Sequence, residues 1–172
     1  GRREVLLATL PYSRELFSLP ANLYIIATMN TVDRHTQQLD LALRRRFTFK
    51  EMPPDPHILA QHARSPKPAG VDLSLLLEAI NNRLLIQLGP DFRIGHAYFL
   101  GIENLDDLRA VFARHIFHLL GEYFYNDYHK IAEVLHPNFL TKADHLPTKI
   151  RDVASLSEAD FILVYEGLSP VA

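Results

Sequence analysis

At 172 residues the chain can bury the core of one domain, or of one small domain with part of another. Its 18 basic and 20 acidic residues give a net charge of −2, so there is no overall basic field to hold nucleic acid, and any DNA contact has to be local or made by other domains. Cysteine is absent, which excludes disulfides and thiolate metal sites and suits a cytoplasmic protein. No basic-then-apolar leader is present, and no apolar run approaches the roughly 18 residues needed to span a bilayer.

In chain order, residues 5–10 and 16–19 flank the turn-like Pro11-Tyr12-Ser13-Arg14 and predict a hairpin. Residues 23–28 form an apolar run rich in Ile, expected as a strand buried on both faces of a parallel sheet. Thr31 or Asp33 is placed to cap a helix carrying Leu39, Leu41, Ala42 and Leu43, which ends in Arg44-Arg45-Arg46. Residues 47–49 predict a short second strand, closed by the proline cluster at 53–56, the natural domain boundary.

Beyond that boundary the pattern turns helical. Pro56 fits a helix start, residues 57–63 are short, and residues 64–70 read as a linker. Asp72 caps a strong helix with Leu73, Leu76, Leu77, Ile80, Leu84 and Leu88 on one face, stopped by Gly89-Pro90. Residues 91–100 are irregular around Gly95. Asn104 then caps a long helical stretch to Leu135, which Gly121 is placed to kink or split. After His136 the signals weaken until residues 161–165, readable as strand or helix.

Several residues carry candidate chemistry. Asn30 follows an apolar strand, where open α/β sheets place ligands; a neutral amide there can donate to a phosphate or orient a water, or simply cap the next helix. Asp33 and Asp40 are placed to hold Arg34, Arg44 or a partner's basic group, or else to serve as a cap and a solvated face. Arg44, Arg45 and Arg46 complement the dipole at a helix end, or supply an arginine finger to a neighbour's triphosphate. Arg93 and His96 are polar groups in an apolar turn, where a structural histidine competes with a functional one. His115 and His118 lack a third ligand at metal spacing and read as surface residues, so no metal site is expected. The tyrosine-rich run 122–128 lacks lysines and reads as core or protein interface rather than a stacking platform for bases. There is no GxxxxGK[ST] loop, no apolar strand ending in Asp-Glu and no GxSxG elbow.

The blocks Met29-Asn30-Thr31-Val32-Asp33-Arg34, Leu39-Asp40-x-Ala42-Leu43-Arg44-Arg45-Arg46-Phe47, residues 92–99 and residues 122–127, with the preceding hairpin, resemble in order the AAA+ module of McrB-type GTPases. These are motor subunits of modification-dependent restriction systems, and the resemblance covers about residues 8–135. It implies an α/β P-loop core, represented by its C-terminal part at residues 1–53, followed by a mainly α-helical lid and tail at residues 54–172. It implies that Asn30 is sensor 1 and that Arg45, flanked by Arg44 and Arg46, is the finger. Asp33, Arg34 and Asp40 fall in the signature linking nucleotide state to neighbours, and Arg93 and His96 stand where the lid approaches nucleotide. The Gly-x-Arg form of sensor 2 is absent, since His96 follows the glycine.

The implied ligands are GTP or ATP with Mg²⁺. The implied partners are ring neighbours of the same kind, a McrC-like endonuclease subunit and DNA held through other domains, with no membrane. The Walker A loop and Walker B acids are expected upstream of Gly1, so the chain by itself is expected to be an inactive C-terminal half with apolar surface exposed. An ATP-driven remodelling protein and a non-enzymatic assembly module remain as alternative readings.

Overall fold

The computed structural model describes residues 7–20, 22–28, 45–143 and 146–167, within two compact units, residues 1–38 and 39–172. In the first unit, β1 (Leu7–Thr9) pairs antiparallel with β2 (Leu16–Ser18), with Ala8 opposite Phe17. The turn closes through Leu10 N–H to the Glu15 carbonyl at 2.9 Å, and Arg14 takes φ 61°, the left-handed position such turns require. The expected hairpin is therefore present. Residues 23–28 differ from expectation. They pair with no strand among the described residues, and Tyr24 and Ile26 are 88% and 95% exposed. Residues 47–49 likewise form no strand; Arg45–Arg46–Phe47 is a turn leading into extended chain. An apolar run becomes a strand only where a neighbour satisfies its N–H and C=O groups, and neither segment has such a neighbour among the described residues.

The second unit is mainly helical. It holds α1 (His57–His62), α2 (Leu73–Gln87), α3 (Leu105–Val111), α4 (Phe117–Tyr123), α5 (Tyr128–Val134) and α6 (Glu158–Glu166), with a hairpin of β3 (Leu140–Ala143) and β4 (Leu146–Ile150) between α5 and α6. Helix α2 is central because its leucines recur every three or four residues: Leu73, Leu76, Leu77, Ile80 and Leu84 are all fully buried. Asp72 caps it as expected, accepting from Ser74 and Leu75 N–H at 3.0 and 3.1 Å. The Tyr165 hydroxyl accepts from Asp72 N–H at 3.3 Å, tying that cap to α6.

Between α3 and α4 the helix widens into a π-turn at Phe112–Ile116. This seats the Phe112 ring among Phe99, Phe117, Phe139 and Phe161, with centroids 4.9 to 6.4 Å away. The long helical stretch breaks at 124–127, not at Gly121: Tyr125 and Asn126 take φ 53° and 59°, and Asp127 caps α5. Gly121 serves that break differently, since a Cβ there would stand 2.8 Å from Asn126 Oδ1. The linker at 64–70 is also more ordered than its composition predicts. Arg64 and Ser65 N–H donate to the carbonyls of Leu100 and Ile102, both at 3.0 Å.

Half-buried arginines stitch helix ends together. Half-buried Arg83 donates to the carbonyls of Val134 at 2.5 Å, Leu135 at 3.1 Å and Val164, closing the C-terminal ends of α5 and α6 at once. Burial lowers its pKa, yet a guanidinium stays charged at any ordinary pH.

At the start of α6, Asp160 forms a capping box with Ser157 and an ion pair with Arg151 at 2.6 Å. Burial pushes the Asp160 carboxyl up, but the Ser157 N–H and Arg151 outweigh it and hold it below the usual value. A depressed carboxylate stabilises the fold above its unfolded pKa near 3.9 and loses that contribution as pH falls through the folded value. Asp160→Asn is therefore expected to cost roughly 2 kcal/mol at neutral pH and to flatten the loss of stability below about pH 4. Urea midpoints at the two pH values check this; an unchanged acid slope would remove Asp160 from that role.

Candidate functional site

Helix α2 carries one polar residue on its apolar face. Asn81 is 6% exposed among leucines and isoleucines, so both ends of its amide need partners. It finds them in a single residue: Oδ1 accepts from Ile94 N–H at 2.6 Å, and Nδ2 donates to the Ile94 carbonyl at 2.9 Å. This pair of hydrogen bonds fixes the turn that follows α2. Gly89 (φ 103°) lets the chain reverse, short helical turns run over Pro90–Phe92 and His96–Phe99, and Ile94 sits 1% exposed between them. The Phe92 ring meets Tyr123 edge-on at 5.1 Å, joining the turn to α4.

Arg93 and His96 stand on either side of that buried isoleucine. Arg93 Nε donates to the Pro90 carbonyl at 2.9 Å, and its Nη2 reaches Glu51 Oε1 at 3.4 Å. His96 Nδ1 accepts from the backbone N–H of Asp55 at 3.1 Å. Accepting this bond calls for the tautomer with its hydrogen on Nε2. The two residues therefore grip residues 51–55, the stretch leading from the arginine segment into α1.

Of the other candidates, Arg45 and Arg46 lie exposed in the turn at 45–47, with no ion pair among the described residues. Asn30, Asp33, Arg34, Asp40 and Arg44 lie outside the described residues. His115 is exposed and stacks against Tyr98 at 5.2 Å; His118 is exposed as well. The described residues contain no group of three His, Asp or Glu placed to hold a metal ion, and Arg93 is already engaged by Glu51. A cleft of about 480 Å³ lies between α4 and the end of β4, lined by Phe117, His118, Glu122 and Val153; Arg45, Arg46, Arg93 and His96 are not among its lining residues.

Asn81 was missed at the level of sequence, where it passed as one more residue of an amphipathic helix. The signal was present: it lies four residues after Leu77 and three before Leu84, on the apolar stripe. Removing it strands two buried main-chain groups of Ile94. Asn81→Ala is expected to cost roughly 2–4 kcal/mol. Asn81→Asp should be nearly as damaging, because it turns the donor to the Ile94 carbonyl into a second acceptor. Denaturant midpoints measure both, and a loss below about 1 kcal/mol for either would show that water replaces the amide.

Residues 72–132, from the Asp72 cap through most of α5, match the alpha-helical lid domain of McrB. Over 131 residues the chain is 37% identical to the Type IV methyl-directed restriction enzyme EcoKMcrB subunit of Escherichia coli (strain K12). That stretch is 67% of this chain and 28% of the relative, so the chain spans little more than a quarter of the relative's length. Residues 72–132, built around α2 and the Asn81 clamp, thus form a McrB-type lid, and the chain carries a McrB-type C-terminal region.

Proposed function

We propose that the chain is the C-terminal portion of a McrB-like AAA+ nucleoside triphosphatase, most simply a GTPase, acting in a ring that powers DNA translocation for a McrC-like endonuclease. The observation that carries this reading is the McrB lid at residues 72–132, preceded in order by the Asn30–Asp33–Arg34 signature and the Arg44–Arg46 segment. A lid alone would fit many nucleotide-driven machines; a lid behind that signature fits this one. GTP with Mg²⁺ would be held mainly by a phosphate loop and acidic strand end that this sequence does not contain. Asn30 would face the γ-phosphate of its own subunit. Arg45, with Arg44 and Arg46 beside it in sequence, would reach the neighbour's, which suits the exposed Arg45 and Arg46, outside any ion pair among the described residues. Asp33, Arg34 and Asp40 would relay nucleotide state across that interface.

A finger acts chiefly in the transition state, where its charge offsets charge spread over the transferring phosphoryl oxygens. In the assembled full-length protein, Arg45→Ala is expected to lower kcat by roughly 10³-fold or more with KM changed only a few-fold. Asn30→Ala should also reduce hydrolysis more than binding. Steady-state assays with GTP and ATP in competition measure both effects and the base preference. Full turnover by Arg45→Ala would overturn the finger assignment, and a preference for ATP would move the protein to the remodelling class.

A further inference from the structure

We propose that Arg93 and His96 are positioning residues: they form a latch fastening residues 51–55 to the lid turn, so that the arginine segment is carried with the lid. The second half of this statement rests on the function proposed above; the first half does not. The latch has two bolts running in the same direction along both segments, Glu51 to Arg93 at 3.4 Å and Asp55 N–H to His96 Nδ1 at 3.1 Å.

Helix α1 is thereby held at both ends by one stretch of chain. Its entry is held by these two side chains. Its exit is held by the Leu100 and Ile102 carbonyls, which accept from Arg64 and Ser65. Main-chain carbonyls cannot be removed by substitution, so His96 is the bolt that sequence controls. Asp55 belongs to the latch through its backbone; its carboxylate is turned to the His57 N–H at 2.9 Å.

Reach shows what the latch does. Arg45 lies six residues before Glu51, so a closed latch keeps it within about 21 Å of that anchor. With both bolts open, the next fixed point is Leu59, buried in α1, and the limit grows to about 45 Å. The latch thus decides whether lid movement is transmitted to Arg45 or lost in slack chain.

The test follows the exchange of the Asp55 amide in the 172-residue chain by NMR. His96→Phe, which keeps a ring but no acceptor, is expected to speed exchange at Asp55 at least tenfold while the amides of Leu76 and Ile80 in α2 stay protected. His96→Asn, whose Oδ1 stands close to the place of Nδ1, should restore most of the protection. Glu51→Gln, at an exposed position that cannot unfold the chain, should loosen residues 51–55 to a lesser degree. Unchanged exchange at Asp55 in His96→Phe overturns the latch, and so does a uniform loss of protection through α2.

In the full nucleotide-hydrolysing assembly, His96→Phe is expected to lower kcat several-fold at constant KM and to add nothing to Arg45→Ala. A rise in KM instead would make His96 a nucleotide contact and overturn the positioning role. A parent assembly that hydrolyses no nucleotide would remove the proposed function while leaving the exchange results to decide the latch.

Discussion

The exchange of two hydrogen bonds between the Asn81 side chain and the main chain of Ile94 is the constraint on which the rest of the lid turns. In water an Asn amide is indifferent to its partner. Among Leu77, Ile80, Leu84 and Ile94 it is not, because each unpaired buried donor or acceptor carries a desolvation penalty of roughly 1–3 kcal/mol. The cheapest way to satisfy both ends of the amide is one residue's N–H and C=O, and that geometry admits a single register between α2 and the following turn. Apolar packing alone would leave the turn free to slide by a residue, which would move Arg93 and His96 together. The leucines fix how much surface is buried; the asparagine fixes which residue sits where.

A second pattern is how the unit uses its arginines. Arg83 gathers the carbonyls of Val134, Leu135 and Val164; Arg109 points Nε and Nη2 at the Leu156 carbonyl, at 2.7 and 2.5 Å; and Arg151 joins the Ser155 carbonyl at 3.0 Å to Asp160. Helix ends leave carbonyls without intrahelical partners, and a planar five-donor group can collect several at once. Arg45 and Arg46 stand apart from this internal work: exposed, in a turn, and outside any ion pair among the described residues. That contrast separates guanidinium groups that hold the fold from those open to another molecule, and composition alone could not make it.

The sequence made legible whatever is decided locally. Asp72 and Asn104 cap their helices because the needed donors lie two and three residues ahead. The hairpin at 7–18 was legible from its turn, and α2 from the spacing of its leucines. What escaped depended on partners far along the chain. Asn81 looks like any helical Asn until Ile94, 13 residues later, comes back to it. The break at 124–127 was assigned to Gly121 because glycine weakens helices, whereas Asn126 and Asp127 supply the left-handed turn and the new cap. The segments at 23–28 and 47–49 read as strands by composition, but pairing is a property of two segments, and one sequence pattern shows only half of it. His96 was placed toward nucleotide by resemblance, and the structure ties it to Asp55, a contact with no sequence pattern behind it.

The energies of these contacts form an order that bears on how such a lid would work. The Asn81 clamp is buried and double, on the order of 2–4 kcal/mol to break. The His96–Asp55 bond is half-buried and single, on the order of 1 kcal/mol, and the exposed Glu51–Arg93 pair adds little to it. Coupling between a bound ligand and a distant element is typically about 1–3 kcal/mol. A change of that size covers the grip on residues 51–55 and reaches only the lower part of the range needed to break the clamp that provides it. The turn is therefore the fixed jaw and residues 51–55 the moving one. Had the strengths been reversed, a ligand would have deformed the lid before it moved the chain leading back to Arg45.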